Sequence, residues 1–159
     1  MLPFTQTATA GFSDNRSQTG QAAQQLYQRA YTWGWLDRLW AGLTGQSREL
    51  LTLAHVEADE VIGNRYSAGL QTVPLNQIKG SQSRCRDFDR HFYPLHDHLA
   101  GRWIRVATAW YLGLELPPVE LVQVGEFYFV RDGHHRISVA KAFGQTEILA
   151  EVRVWEINR

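Results

Sequence analysis

A β-hairpin that runs straight into a helix is the feature that most restricts how this chain folds. Val119 to Val124 is a run of strand formers, Gly125-Glu126 is a two-residue turn, and Phe127 to Val130 returns antiparallel. Asp132-Gly133-His134-His135-Arg136 comes next, and then Ile137, Ala140 and Phe143 recur at helical spacing until Gly144 stops them. The first turn of a helix leaves backbone N–H groups without intrahelical partners. They converge on one place, and the helix dipole makes that place favour negative charge. Gly133 lets the backbone approach an anion, Arg136 can fork two hydrogen bonds onto a phosphate, and His134 and His135 add one donor each when neutral. The bland alternative is an ordinary tight turn in which Asp132 caps the helix. Two adjacent histidines and an arginine in the first turn favour the anion.

The rest of the chain divides around that unit. Residues 1–20 are rich in Thr, Ser, Gln, Gly and Ala, and are expected to be mobile. They show no basic start followed by an apolar run, so no signal peptide is expected, and no stretch reaches the length of a membrane span. Residues 21–66 read as a helical hairpin. Leu26, Ala30, Trp33, Leu36, Trp40 and Leu43 recur at three- and four-residue steps, Thr44-Gly45-Gln46 breaks the pattern, and Ser47 caps a second helix that places Leu50, Leu53, Ala54 and Val61 on one side and runs to about Gly63. The aromatic stripe of the first helix is assigned to packing, with a homodimer contact through these helices as the candidate partner.

From residue 70 to 157 the character is α+β with a small mixed sheet. Thr72-Val73-Pro74-Leu75 is a short strand, residues 79–90 form a polar loop, and residues 98–112 form a helix with Trp103, Val106, Ala107 and Trp110 on its apolar face. Ile148, Ala150, Val152 and Val154 alternate in a last strand.

Sixteen basic residues balance sixteen acidic ones, which argues against broad, sequence-independent DNA binding. One cysteine, Cys85, excludes an intrachain disulfide and suits a cytoplasmic setting. It reads as a spare thiol, although Arg84 and Arg86 beside it would favour the thiolate. In the polar loop, Arg84, Arg86 and Arg90 can reach the same anion if the loop folds over the turn. Asp87 or Asp89 then serves as a general base, or holds Mg²⁺ through oxygen ligands. The equally weighted alternative is a solvated Arg/Asp mixture. His91, His96 and His98 lie close to Asp89 and Asp97, but their spacing matches no metal motif, and no metal site is assigned. Arg102 and Arg105 read as the solvated face of their helix, with a polar wall of the anion cleft as the alternative.

Val130 to Phe143, with the hairpin before it, the strand after it and the opening Val73-Pro74-Leu75-Asn76-Gln77-Ile78, resembles the ParB/sulfiredoxin-like superfamily over about residues 70–157. Partition proteins of the ParB type carry Gly-Glu-Arg-Arg at the position of Gly133 to Arg136 and bind the phosphates of CTP. Sulfiredoxins carry Gly-Cys-His-Arg there. An ADP-dependent free-serine kinase of the superfamily carries Asp-Gly-His-His-Arg, the spelling of residues 132–136. The resemblance implies a nucleotide ligand, ATP, ADP or CTP, with Mg²⁺ as a candidate companion. It also implies nucleotide hydrolysis or phosphoryl transfer to a small molecule as candidate activities. His134 stands where sulfiredoxins have their nucleophilic cysteine, which argues against that chemistry. The kinase's catalytic glutamate has no counterpart aligned here, and Asp87 and Asp89 are the acids offered instead. A non-enzymatic role in DNA segregation or transcription is the alternative, with a nuclease as its weaker variant. The zero net charge and the end of the chain at Arg159, without a helix-turn-helix domain, disfavour DNA.

Overall fold

The computed structural model describes residues 10–45 and 47–158. Among them the elements run α1 (Ala10–Thr44), β1 (Leu51–Thr52), α2 (Leu53–Asp59), β2 (Ile62–Pro74), β3 (Ile78–Ser81), α3 (Ala100–Tyr111), β4 (Val119–Val124), β5 (Phe127–Asp132), α4 (His134–Ala142) and β6 (Glu147–Ile157). The fold is α+β. Its six-stranded sheet has the order β1-β3-β5-β4-β6-β2 and is mixed. The pairs β4–β5 and β6–β2 are antiparallel, while β1–β3, β3–β5 and β4–β6 are parallel.

The hairpin forms as its residues dictate. Val124 pairs with Phe127 across Gly125, which takes φ +60°, a conformation that costs glycine little. Side chains alternate between the two faces of the sheet. Leu121, Tyr128 and Val130 therefore enter the main core with Trp103, Ile137 and Val152, while Val122, Val124 and Phe129 meet Leu53 on the other side. Burial on both faces explains why β4 and β5 read as nearly continuous apolar runs. Trp103 is fully buried at the centre. Its Nε1–H donates to Ser138 Oγ at 2.8 Å, and that hydroxyl donates to the Phe92 carbonyl at 2.6 Å. The two bonds tie α3, α4 and the loop before α3 together.

The largest departure from expectation lies between residues 45 and 74. The second helix of the expected hairpin is confined to α2, and Gly63 sits inside β2. Of the residues that suggested one apolar face, Leu50 enters the main core, Leu53 packs on the opposite face of the sheet, and Val61 is exposed. The periodicity was real spacing without a common surface to bury. Sheet pairing prevails because β2 hydrogen-bonds along β6 from Ile62/Ile157 to Pro74/Glu147. The short strand expected at Thr72 is the last part of this long edge strand. Residues 1–9 of the expected mobile segment lie outside the described residues, whereas residues 10–20 belong to α1. The helices expected over 98–112 and 135–143 are α3 and α4, within two residues at either end.

Candidate functional site: the N-terminus of α4

Strand β5 ends at Asp132, and Gly133 turns the chain with φ +102° and ψ +19°. A side chain is excluded there on two grounds. The backbone is left-handed, and a Cβ would stand 2.5 Å from Val119 Cγ1. The Gly133 carbonyl accepts the first helical bond from Ile137 N–H at 3.0 Å, and no side chain caps the helix. Asp132 does not serve as that cap. The N-terminus of α4 borders a cleft of about 240 Å³ lined by Arg84, Arg102, Leu116, Pro117 and residues 132–136.

Arg136 is committed elsewhere. Its Nη1 donates to the carbonyls of Pro117 at 2.6 Å and Pro118 at 2.7 Å, and its Nη2 donates to Asp132 Oδ2 at 2.5 Å. The guanidinium thereby fixes the segment entering β4 against the helix start. It forms a wall of the cleft, and the other cations of the cleft are Arg84 and Arg102, both exposed.

His134 and His135 are almost completely buried. Burial, followed by the charge of Arg84, pushes the His134 pKa down from 6.5 to about 4. Burial, then Arg102 and Arg84, does the same to His135. Both rings are neutral at pH 7. His134 Nε2 lies 2.7 Å from Ser81 Oγ. That oxygen already accepts the N–H groups of Ser83 at 3.2 Å and Arg84 at 3.1 Å. Its own proton has two acceptors in reach, the Val130 carbonyl at 3.5 Å and His134 Nε2, and the much shorter contact to His134 takes it, which assigns the His134 ring hydrogen to Nδ1. The contact fixes the start of the loop after β3 against α4 and so brings Arg84 to the cleft. His135 packs edge-on against Phe88 at 5.3 Å between ring centres, and its Nε2 is buried without a hydrogen-bond partner.

The loop residues separate into two groups. Arg84 pairs with Asp87, Nη1 to Oδ2 at 3.4 Å, and the charge of Asp87 is felt by both histidines. Those two belong with the turn. Asp89 does not. It is buried, its Oδ1 accepts the N–H groups of His91 and Tyr93 at 2.9 Å each, and it faces Arg48. Burial raises its pKa above the usual carboxylate value despite those bonds. Its role is to shape the turn over residues 89–93, where Phe92 takes φ +64°. Arg86 lines a separate groove with Cys85, Asp89 and Arg48. His96 Nε2 contacts the Arg86 carbonyl at 3.1 Å and its ring stacks on His98. Among the described residues no group of three His, Cys, Asp or Glu side chains is arranged to hold a metal ion.

Sequence patterns did not single out Ser81, Phe88, Pro117 or Pro118. Backbone carbonyls as Arg136 acceptors leave no side-chain signature, and Ser81 sits among other polar loop residues. Arg102 carried a signal, its place one turn from Arg105, but only its position on α3 distinguishes the residue that lines the cleft.

No family model matches the chain, and no curated protein matches it. Among solved structures, the crystal structure of sulfiredoxin from Arabidopsis thaliana is similar over 55% of this chain and 86% of that one, with a TM-score of 0.40 and 19% sequence identity. No described helix is long and apolar enough to cross a membrane.

Proposed function

We propose that this chain is a ParB/sulfiredoxin-like domain that binds a nucleotide by its phosphates at the N-terminus of α4. The observation that carries the reading is an uncapped helix start opening on a cleft flanked by Arg84 and Arg102. Backbone donors, the helix dipole and two cations all favour an anion in that space. The cleft is sized for phosphate groups rather than for a whole nucleotide. An adjoining pocket of about 320 Å³ shares Leu116, Pro117 and Arg136 with it, and is otherwise lined chiefly by Trp110, Leu114, Pro118, Ile148 and Leu149. This apolar pocket suits the nucleoside, with the Glu147 carboxylate at its edge as an acceptor for a base N–H. In this reading ATP, ADP or CTP bridges the two spaces across Arg136, which acts as a positioning residue.

Hydrolysis or phosphoryl transfer at this place would draw on Asp87, the acid held beside Arg84, as general base or as an oxygen ligand for Mg²⁺. Binding is tested by calorimetry and thermal shift with ATP, ADP, CTP, GTP and inorganic pyrophosphate, each with and without Mg²⁺. At least one nucleotide is expected to stabilise the protein. Arg84→Ala and Arg102→Ala are each expected to weaken it about tenfold, the loss of one charge-assisted contact worth about 1.5 kcal/mol. Absence of stabilisation by every nucleotide and by pyrophosphate refutes the reading.

A further inference from the structure

Helix α1 has two apolar faces, and the protein uses only one. Ala23, Tyr27 and Ala30 are buried in the main core, with Tyr27 edge-on to Trp103 at 5.4 Å between ring centres. Gly34 continues that face, lying so close to Tyr93 that a Cβ would stand 2.9 Å from the tyrosine Cβ. A second stripe, left largely open among the described residues, begins one residue earlier. Trp33, Trp35, Leu36, Leu39, Trp40 and Leu43 are all more than a third exposed, Trp40 by 68% and Leu43 by 82%. Single exposed apolar residues are ordinary on a protein surface, but a contiguous stripe of this kind marks an interaction site.

From this stripe we infer that α1 pairs antiparallel with α1 of a second copy of the chain. Three observations select that occupant. The first is area. Three tryptophans and three leucines at these exposures offer on the order of 800 Å², one partner's share of a standard interface.

The second is spacing. Trp33, Leu36, Trp40 and Leu43 follow one another at steps of three, four and three, the seam of a two-helix pair. An antiparallel partner centred on residue 38 places Trp33 against the partner's Leu43, and Leu36 against the partner's Trp40. Every layer then holds one large and one medium side chain. A parallel pair would stack Trp on Trp and Leu on Leu, alternately overfilled and underfilled. The antiparallel arrangement is also self-complementary about a two-fold axis, as a closed dimer requires.

The third is charge. Between residues 29 and 45 the charged side chains are Arg29, Asp37 and Arg38, and there is no lysine. A helix that lies on an anionic lipid surface needs a basic polar face. Asp37 is moreover paired with Arg48 of its own chain.

The test uses the full chain in sedimentation velocity over a range of concentrations, with far-UV circular dichroism to follow folding. Wild type is expected to sediment as a dimer at micromolar concentration. Trp40→Glu and Leu36→Lys are each expected to give a folded monomer, because both side chains are exposed in the single chain. Mixing the two variants is expected to restore a dimer, since antiparallel pairing sets position 36 against position 40 and joins Lys to Glu. A wild-type chain that is monomeric throughout overturns the inference, as does a dimer indifferent to both substitutions. Variants that stay monomeric on mixing overturn the antiparallel register. A wild-type monomer that co-sediments with vesicles of phosphatidylcholine and phosphatidylglycerol overturns it in favour of a lipid surface. None of these outcomes depends on nucleotide binding.

Discussion

Acid should unfold this protein through two particular histidines. His134 and His135 are buried and held neutral, with pKa values pushed from 6.5 down to about 4. In the unfolded chain both rings take up protons near pH 6.5, whereas in the folded chain they resist until about pH 4. The unfolded state thus binds more protons across that window, and stability falls as the pH drops through it. The contribution is complete above pH 6.5 and exhausted below pH 4. Each ring lowers stability by about 1.4 kcal/mol per pH unit inside the window, or about 3 kcal/mol over its full width. The two are adjacent and their protonations are coupled, so the pair is worth on the order of 5 kcal/mol. That is comparable with the whole stability of a small domain, commonly about 5–15 kcal/mol.

His91, lowered by burial, acts in the same direction, and Asp89, raised by burial, acts in the opposite one. The decisive measurement is therefore a difference between variants. Urea unfolding of wild type and His135→Gln is followed at pH 7.5, 6.5, 5.5 and 4.5. The wild-type midpoint should fall steeply below pH 6.5. The glutamine variant, whatever its stability at pH 7.5, should show roughly half the slope, because one of the two titrations is gone. A flat wild-type profile between pH 7.5 and 4.5 would refute the burial argument. An unchanged slope in His135→Gln would show that the acid sensitivity has another source.

Two further substitutions probe the frame of the cleft. Gly133→Ala should cost about 3 kcal/mol in urea unfolding, the sum of a left-handed backbone and the overlap with Val119. Adding Val119→Ala should recover the overlap but leave the backbone strain, so complete recovery would mean that the φ of +102° is not a constraint. Trp103→Phe keeps most of the buried ring but removes the donor to Ser138, and should cost about 1–3 kcal/mol. An unchanged urea midpoint would show that this bond between α3 and α4 contributes nothing net.

The hairpin β4–β5, helices α3 and α4 and the glycine turn between β5 and α4 were legible because each depends on neighbours in sequence. Strand formers around a two-residue turn, apolar residues at helical spacing and a glycine before a helix are local signals. The parallel case of residues 47–63 shows where such signals fail. Leu50, Leu53 and Val61 keep a helical spacing, yet they meet three different environments. What decides the segment lies far along the chain: Leu51 and Thr52 pair with β3, and from Ile62 onward the backbone pairs with β6, which begins only at Glu147.

The site divides in the same way. The sequence by itself determined that a helix start follows a glycine turn at Gly133, since strand, turn and helix are each set by the local chain, but it leaves open whether Asp132 caps that start. Only the tertiary structure decided which charges face it. The proline carbonyls claim Arg136, and Ser81 draws the loop inward so that Arg84 and Asp87 meet the turn. Arg86 and Asp89 in the same loop meet α1 and the segment around Arg48 instead. Burial, a property of the packed whole, then makes both histidines neutral. Partner and solvent exposure are set by residues distant along the chain, and no pattern within the loop encodes them.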